Sequence, residues 1–154
     1  MRFRAETRAG STQQIAMPDV GSVADPTIYG AILHVYNSTG QTADRVAIPL
    51  PAAGWQVAGV PGTPVEYVFS APPGAPITRI TLRSKVITIS GGGPLFGFSL
   101  NEPAQGGVAV KLVLGDDTGW CADARPRPSG RNDAVDYFAA QSTSRPPVVC
   151  PPRP

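Results

Sequence analysis

The chain is poor in most of the residues that carry chemistry. Among 154 residues there is one histidine, His34, and there are two cysteines, Cys121 and Cys150. A single histidine excludes a His cluster for a transition metal, and any Ser-His-Asp relay would have to run through His34. No GxSxG elbow is present to offer a serine. The cysteines stand 29 positions apart, without the CxxC spacing of a zinc or redox site. Charge is scarce as well, at 16% of residues and a formal net of +2. That balance gives no strong attraction to nucleic acid or to an anionic membrane. No apolar run approaches the roughly 20 residues of a spanning helix. Met1-Arg2-Phe3-Arg4 carries charge, but the apolar stretch of a signal peptide does not follow it.

What is abundant is punctuation. Eighteen prolines and seventeen glycines interrupt short apolar runs without forming a repeat, which favours many short strands joined by turns. Residues 2–8 alternate Phe3, Ala5 and Thr7 against Arg2, Arg4, Glu6 and Arg8, as a sheet-edge strand would. Gln13–Met17 reads as a second short strand. Ile28–Tyr36 is apolar on both parities and reads as a strand covered on both faces. Arg45–Leu50 follows, and Pro51–Pro64 reads as a long corner anchored by Trp55. Val65–Ser70 sets Val65, Tyr67 and Phe69 on one side. Ile77–Ser90 reads as two strands or one bent strand, and Leu95–Leu100 as the next. Asp133–Gln141 fits a capped helix or a closing strand with Val135 and Tyr137 inward, and the strand is preferred.

The organising stretch is Gly107–Cys121. Val108, Val110, Leu112 and Leu114 recur with period two, then Gly115-Asp116-Asp117-Thr118-Gly119 supplies turn chemistry before Trp120-Cys121. About nine short strands at these spacings predict an all-β fold with little or no helix. The expected form is an antiparallel β-sandwich, immunoglobulin-like or jelly-roll, ahead of a barrel. Residues 1–154 read as one domain, with 145–154 a Pro-rich tail pinned by Cys150. A Cys121–Cys150 disulfide would stabilise such a domain by roughly 3–4 kcal/mol in the chain-entropy model. It also points to a secreted or cell-surface compartment. A chain that starts inside a strand reads as a mature or excised fragment of something longer.

Few residues converge on chemistry. His34 sits in an apolar run and reads as a half-buried structural histidine. Asp116, Asp117 and Asp123 would suit calcium, but they lack the spaced pattern of a calcium loop, and a solvated turn explains them without metal. The expectation is therefore no cofactor. Nothing in the spacing of Glu66, Glu102 or the aspartates selects a pair for glycosidic cleavage. Arg125, Arg127 and Arg131 read as a solvated loop, since prolines interleave them and no aromatic platform accompanies them. Gly91-Gly92-Gly93 lacks the Gly-Lys-Ser/Thr of a phosphate loop and reads as a turn. Trp55, Tyr29 and Tyr36 are the candidates for stacking on a sugar, against the alternative that such aromatics fill the core. Asn37-Ser38-Thr39 matches the glycosylation acceptor pattern, a match that short turns make by chance.

Several phrases occur in a familiar order. They are Asp25-Pro26-Thr27 with Gly30-Ala31, Leu50-Pro51-Ala52 with Gly54-Trp55, Gln105-Gly106 leading into Val108–Gly115, then Cys121, and last Pro147 with Cys150-Pro151. This order resembles a β-rich domain of unknown function, repeated or appended in secreted and surface proteins of environmental bacteria. The resemblance covers residues 1–151 and implies export and a modular, noncatalytic role, with no catalytic residues to carry over. The family's aromatic and glycine pattern after the first cysteine is replaced here by Ala122–Asn132. The function expected is a noncatalytic extracellular module that binds a glycan or protein surface, with no nucleic acid and no membrane insertion. A structural subunit or spacer that self-associates is the alternative, and a small hydrolase using His34 or a carboxylate pair comes third.

Overall fold

A computed structural model describes residues 1–6, 17–39, 42–60, 63–115, 118–128 and 130–140. Among these, eleven strands form three sheets, mostly antiparallel and with no barrel, the all-β sandwich-like class expected from the punctuated sequence. By internal packing the chain divides into two compact units. Residues 1–32, 48–96 and 113–120 form the first, and 33–47, 97–112 and 121–154 the second.

The first unit holds a five-stranded sheet. Its strands are β1 (Arg2–Glu6), β4 (Trp55–Val60), β5 (Thr63–Ser70), β6 (Ile77–Arg83) and β7 (Val86–Gly91), in the order β1-β7-β6-β5-β4. Antiparallel register lines up rows of side chains across it. One row runs Phe3, Ile89, Ile80, Phe69, Trp55, and the next runs Ala5, Ile87, Leu82, Tyr67, Val57. Both point inward, and their central members are fully buried. The outward row of Arg4, Thr88, Thr81, Val68 and Gln56 is polar or small apart from Val68. Ile77 and Ile80 face the same way although three apart, because a register shift between Ile77 and Arg79 inserts one residue. Each fully buried Ile or Leu in these rows contributes about 1.5–3 kcal/mol.

A four-stranded sheet has the order β3-β2-β8-β9, with β2 (Ala31–Asn37), β3 (Arg45–Leu50), β8 (Val108–Leu114) and β9 (Thr118–Ala124). β8 keeps the predicted bounds, with Val110, Leu112 and Leu114 buried. Within the second unit, β10 (Asp133–Ala134) and β11 (Tyr137–Phe138) make a small hairpin. Its turn residue Asp136 has φ 63, a left-handed conformation that Asp tolerates.

Several expectations are corrected. The strand placed at Ile28–Tyr36 begins only at Ala31, because Pro26–Tyr29 forms one helical turn, α1, capped by Asp25 with Pro26 at its first position. The long corner at Pro51–Pro64 contains a 3-10 turn at Ala52–Gly54 and then β4, which pairs with β5 from Trp55 onward. Leu95–Leu100 is not a strand, since Gly97 at φ 75 leaves extended backbone. Val65 is exposed although Tyr67 and Phe69 are buried, because it lies near the hairpin turn and is the extra residue at the register shift, where Ala58 pairs with Glu66 and Gly59 with Pro64. Val135 and Tyr137 point outward from the small hairpin. The expected strand at Gln13–Met17 and the tail at 145–154 lie at least partly outside the described residues.

Candidate functional site

The three aromatic candidates part company. Trp55 is 5% exposed: its ring meets Phe69 at 5.4 Å between centroids, and its indole N–H donates to the Leu50 carbonyl at 3.3 Å. Tyr36 is 1% exposed on β2. Neither offers a face to a sugar, because each ring fills the interior. Tyr29 is 61% exposed at the end of α1.

Tyr29 does not stand alone. Val20, Val23, Ile28 and Ile32 are also exposed, with Val23 at 60% and Ile28 at 53%. One short segment thus presents five large apolar side chains to solvent. Its backbone is held firmly. The Asp25 carboxylate is fully buried and accepts from the Gly21 N–H at 2.7 Å, the Thr27 N–H at 2.8 Å and the Thr27 hydroxyl at 2.7 Å. Successive turns close from Ser22 N–H to Asp19 and from Asp25 N–H to Ser22. Gly30 ends α1 at φ 71, where a Cβ would stand 2.7 Å from the Leu50 carbonyl oxygen. Gly115 approaches more closely still, and a Cβ there would lie 1.9 Å from the Val23 carbonyl oxygen. On β5, the Tyr67 hydroxyl donates to the Pro18 carbonyl at 3.1 Å. Burial, with Asp25 and Asp19 adding negative charge, pushes that phenol up to about 12. These ties fix the backbone from below while the apolar side chains stay outside.

The second unit contains a polar cluster centred on Gln105, which is 1% exposed. Its side-chain oxygen accepts from the Asn37 amide at 3.1 Å and the Thr42 hydroxyl at 3.3 Å. Its amide nitrogen donates to Glu102 at 3.0 Å and Asp44 at 3.4 Å. Asp133 accepts from two successive backbone N–H groups, Gln105 at 2.6 Å and Gly106 at 2.7 Å. All four side-chain hydrogen-bonding positions of Gln105 are therefore used. The Ser99 hydroxyl, donating at 2.6 Å, holds the Asp44 carboxyl below its ordinary value; burial opposes this, and Thr42, Glu102 and Gln105 reinforce it. The cluster orders the segment before β8 through its own hydrogen bonds.

The remaining candidates fall as follows. His34 is buried on β2 rather than half-buried. Asn37 is fully buried, and its amide nitrogen also donates to the Gln105 carbonyl at 2.6 Å, so it is unsuited to carry a glycan. Glu66 pairs with Arg83, whose Nε and Nη2 donate to one carboxylate oxygen at 2.9 and 2.6 Å. Arg125 lies 3.6 Å from Asp123 and donates to the Gly106 carbonyl at 3.3 Å. Asp123 also accepts from the Ser38 hydroxyl. Arg127 and Arg131 are exposed. Asp116 and Asp117 lie outside the described residues, and among those described no group of three metal-ligating side chains occurs. Cys121 is buried on β9, whereas Cys150 lies outside the described residues. No described helix is long and apolar enough to cross a membrane.

Sequence reasoning named Asn37 only as a glycosylation acceptor and Gln105 only within the motif order, and missed that the two meet, since no local pattern joins residues 68 positions apart. No protein-family model, no curated protein and no solved structure matches the chain.

Proposed function

We propose that this chain is a noncatalytic extracellular binding module of a larger secreted bacterial protein, docking a glycan or protein surface through residues 20–32. The observation that carries the reading is the exposed apolar set around Tyr29 on a backbone held by Asp25, Gly30 and Gly115. A rigid apolar and aromatic surface binds with little ordering cost. The motif order quoted above supports export, and a Cys121–Cys150 disulfide suits that compartment.

The test is binding of the purified protein to a panel of polysaccharides and surface proteins, read by pull-down and intrinsic fluorescence. Tyr29→Ala and Ile28→Ser are expected to weaken saturable binding by about tenfold or more each, as central apolar contacts do. Both leave the melting temperature close to that of the parent, since the side chains already lie in solvent. Binding that both variants retain in full would overturn the assignment of this segment.

A further inference from the structure

The two edges of the five-stranded sheet are treated very differently. β1 carries Arg2, Arg4 and Glu6 along its exposed face, with the Arg4 guanidinium donating to Glu6 at 2.7 Å. Charges at an edge discourage another strand from adding. β4, at the opposite edge, reads Trp55-Gln56-Val57-Ala58-Gly59-Val60 and contains no charged residue and no proline. Among the described residues it has one neighbour, β5, and every residue from Gln56 to Val60 is exposed. Val57 ends an inward row whose other members are Tyr67, Leu82, Ile87 and Ala5, yet it is 38% exposed. The row stops before its last residue is covered.

We propose that β4 pairs antiparallel with β4 of a second copy of this chain, about a two-fold axis perpendicular to the sheet at Val57. An edge strand recruits another extended backbone, and cross-strand neighbours lie on the same face of an antiparallel pair. Opposed residues must then share parity. Val57 meets its own counterpart, Gln56 meets Ala58, and Trp55 meets Gly59. A β-branched pair meets on the inward face, an amide faces a methyl on the outward face, and a bulky ring faces a residue with no side chain. No like charges oppose, so the edge is complementary to itself. The equivalent pairing of β1 about Arg4 would set two guanidinium groups opposite each other. The register shift between Ala58 and Gly59 places its extra residue, Val65, on β5, so β4 stays continuous through Gly59, and a two-fold pair uses the edge of both copies and closes the assembly. The sheet then continues across the axis, and the Val57 row is closed by the partner's row.

Sedimentation across a concentration series, with Val57→Lys and Val57→Cys beside the parent, tests this. The parent is expected to show a concentration-dependent dimer. Val57→Lys sets two ammonium groups opposite each other and is expected to raise the dissociation constant about tenfold or more. Val65→Lys adds the same charge on β5, which is not an edge, and is expected to leave dimerisation intact. Val57→Cys brings two thiols to the axis and is expected to give a covalent dimer on oxidation, a readout that survives if the lysine variant fails to fold. A parent monomeric at the highest concentrations reached would overturn the proposal. So would a dimer that tolerates Val57→Lys, or one in which folded Val57→Cys does not crosslink.

Discussion

Replacing Tyr67 by phenylalanine has opposite effects at neutral and alkaline pH, and the structure sets both. At pH 7 the variant loses the bond from the phenol to Pro18 and leaves that buried carbonyl without its donor. A lost bond of this kind costs about 1–2 kcal/mol. In alkali the comparison reverses. The folded state holds the phenol at about 12, above its ordinary 10.0, so unfolded chains ionise first and draw the equilibrium toward themselves. A raised folded pKa contributes stability that is complete below the unfolded value and is lost as pH climbs through the folded one. Two pKa units correspond to about 2.7 kcal/mol at the limit. Tyr67→Phe has no such loss. Its stability relative to the parent is therefore expected to start about 1–2 kcal/mol lower and to cross over near pH 11. Urea unfolding of both proteins at a series of pH values measures the difference, and every other titrating group cancels between them. A difference that stays constant from pH 8 to about pH 12 would refute the shielding of this phenol.

Gly115→Ala is expected to destabilise by about 2–4 kcal/mol, since its Cβ would overlap the Val23 carbonyl at a positive φ. Gly74→Ala shares a positive φ but meets nothing within 4 Å, so thermal melts should show only the smaller backbone cost of about 1 kcal/mol. Asp133→Asn turns one acceptor of the two-amide clamp into a donor, at about 1.5–3 kcal/mol. Hydrogen exchange at Gln105 and Gly106 should accelerate accordingly, and unchanged protection there would refute the clamp.

The parts of the fold legible in the sequence are those where one face is buried and the other wet. β3 and β8 keep their predicted bounds, and Ile77–Ser90 resolves into a hairpin turning at Ser84-Lys85. β4 was illegible because an uncharged edge strand has no polar row to alternate with, and Gln56-Val57-Ala58-Gly59 resembles a loop. α1 was hidden inside an apolar run, although Asp25 before Pro26 is a helix-start signal. The aromatic candidates show the same limit at the level of the site. Composition names Tyr29, Tyr36 and Trp55 alike, while their exposure depends on which segment lies above each. Asn37 and Gln105 meet across 68 positions, a pairing no local pattern encodes.

The two surfaces act together if β4 pairs as proposed. α1 packs against the turn at Ala52–Gly54 and against β4, so the Tyr29 segment lies near the pairing strand in the same unit. A two-fold axis at Val57 then joins two such segments in one assembly with fixed spacing. A small apolar patch on a single copy gives modest affinity, because much of its favourable free energy offsets the cost of association. Two patches held rigidly on a repetitive surface meet that cost largely once, and the second contact forms at an effective concentration set by the sheet. A weak, rigid site beside a self-complementary edge is therefore suited to surfaces that repeat, such as a polysaccharide or an array of identical proteins, more than to a lone soluble ligand.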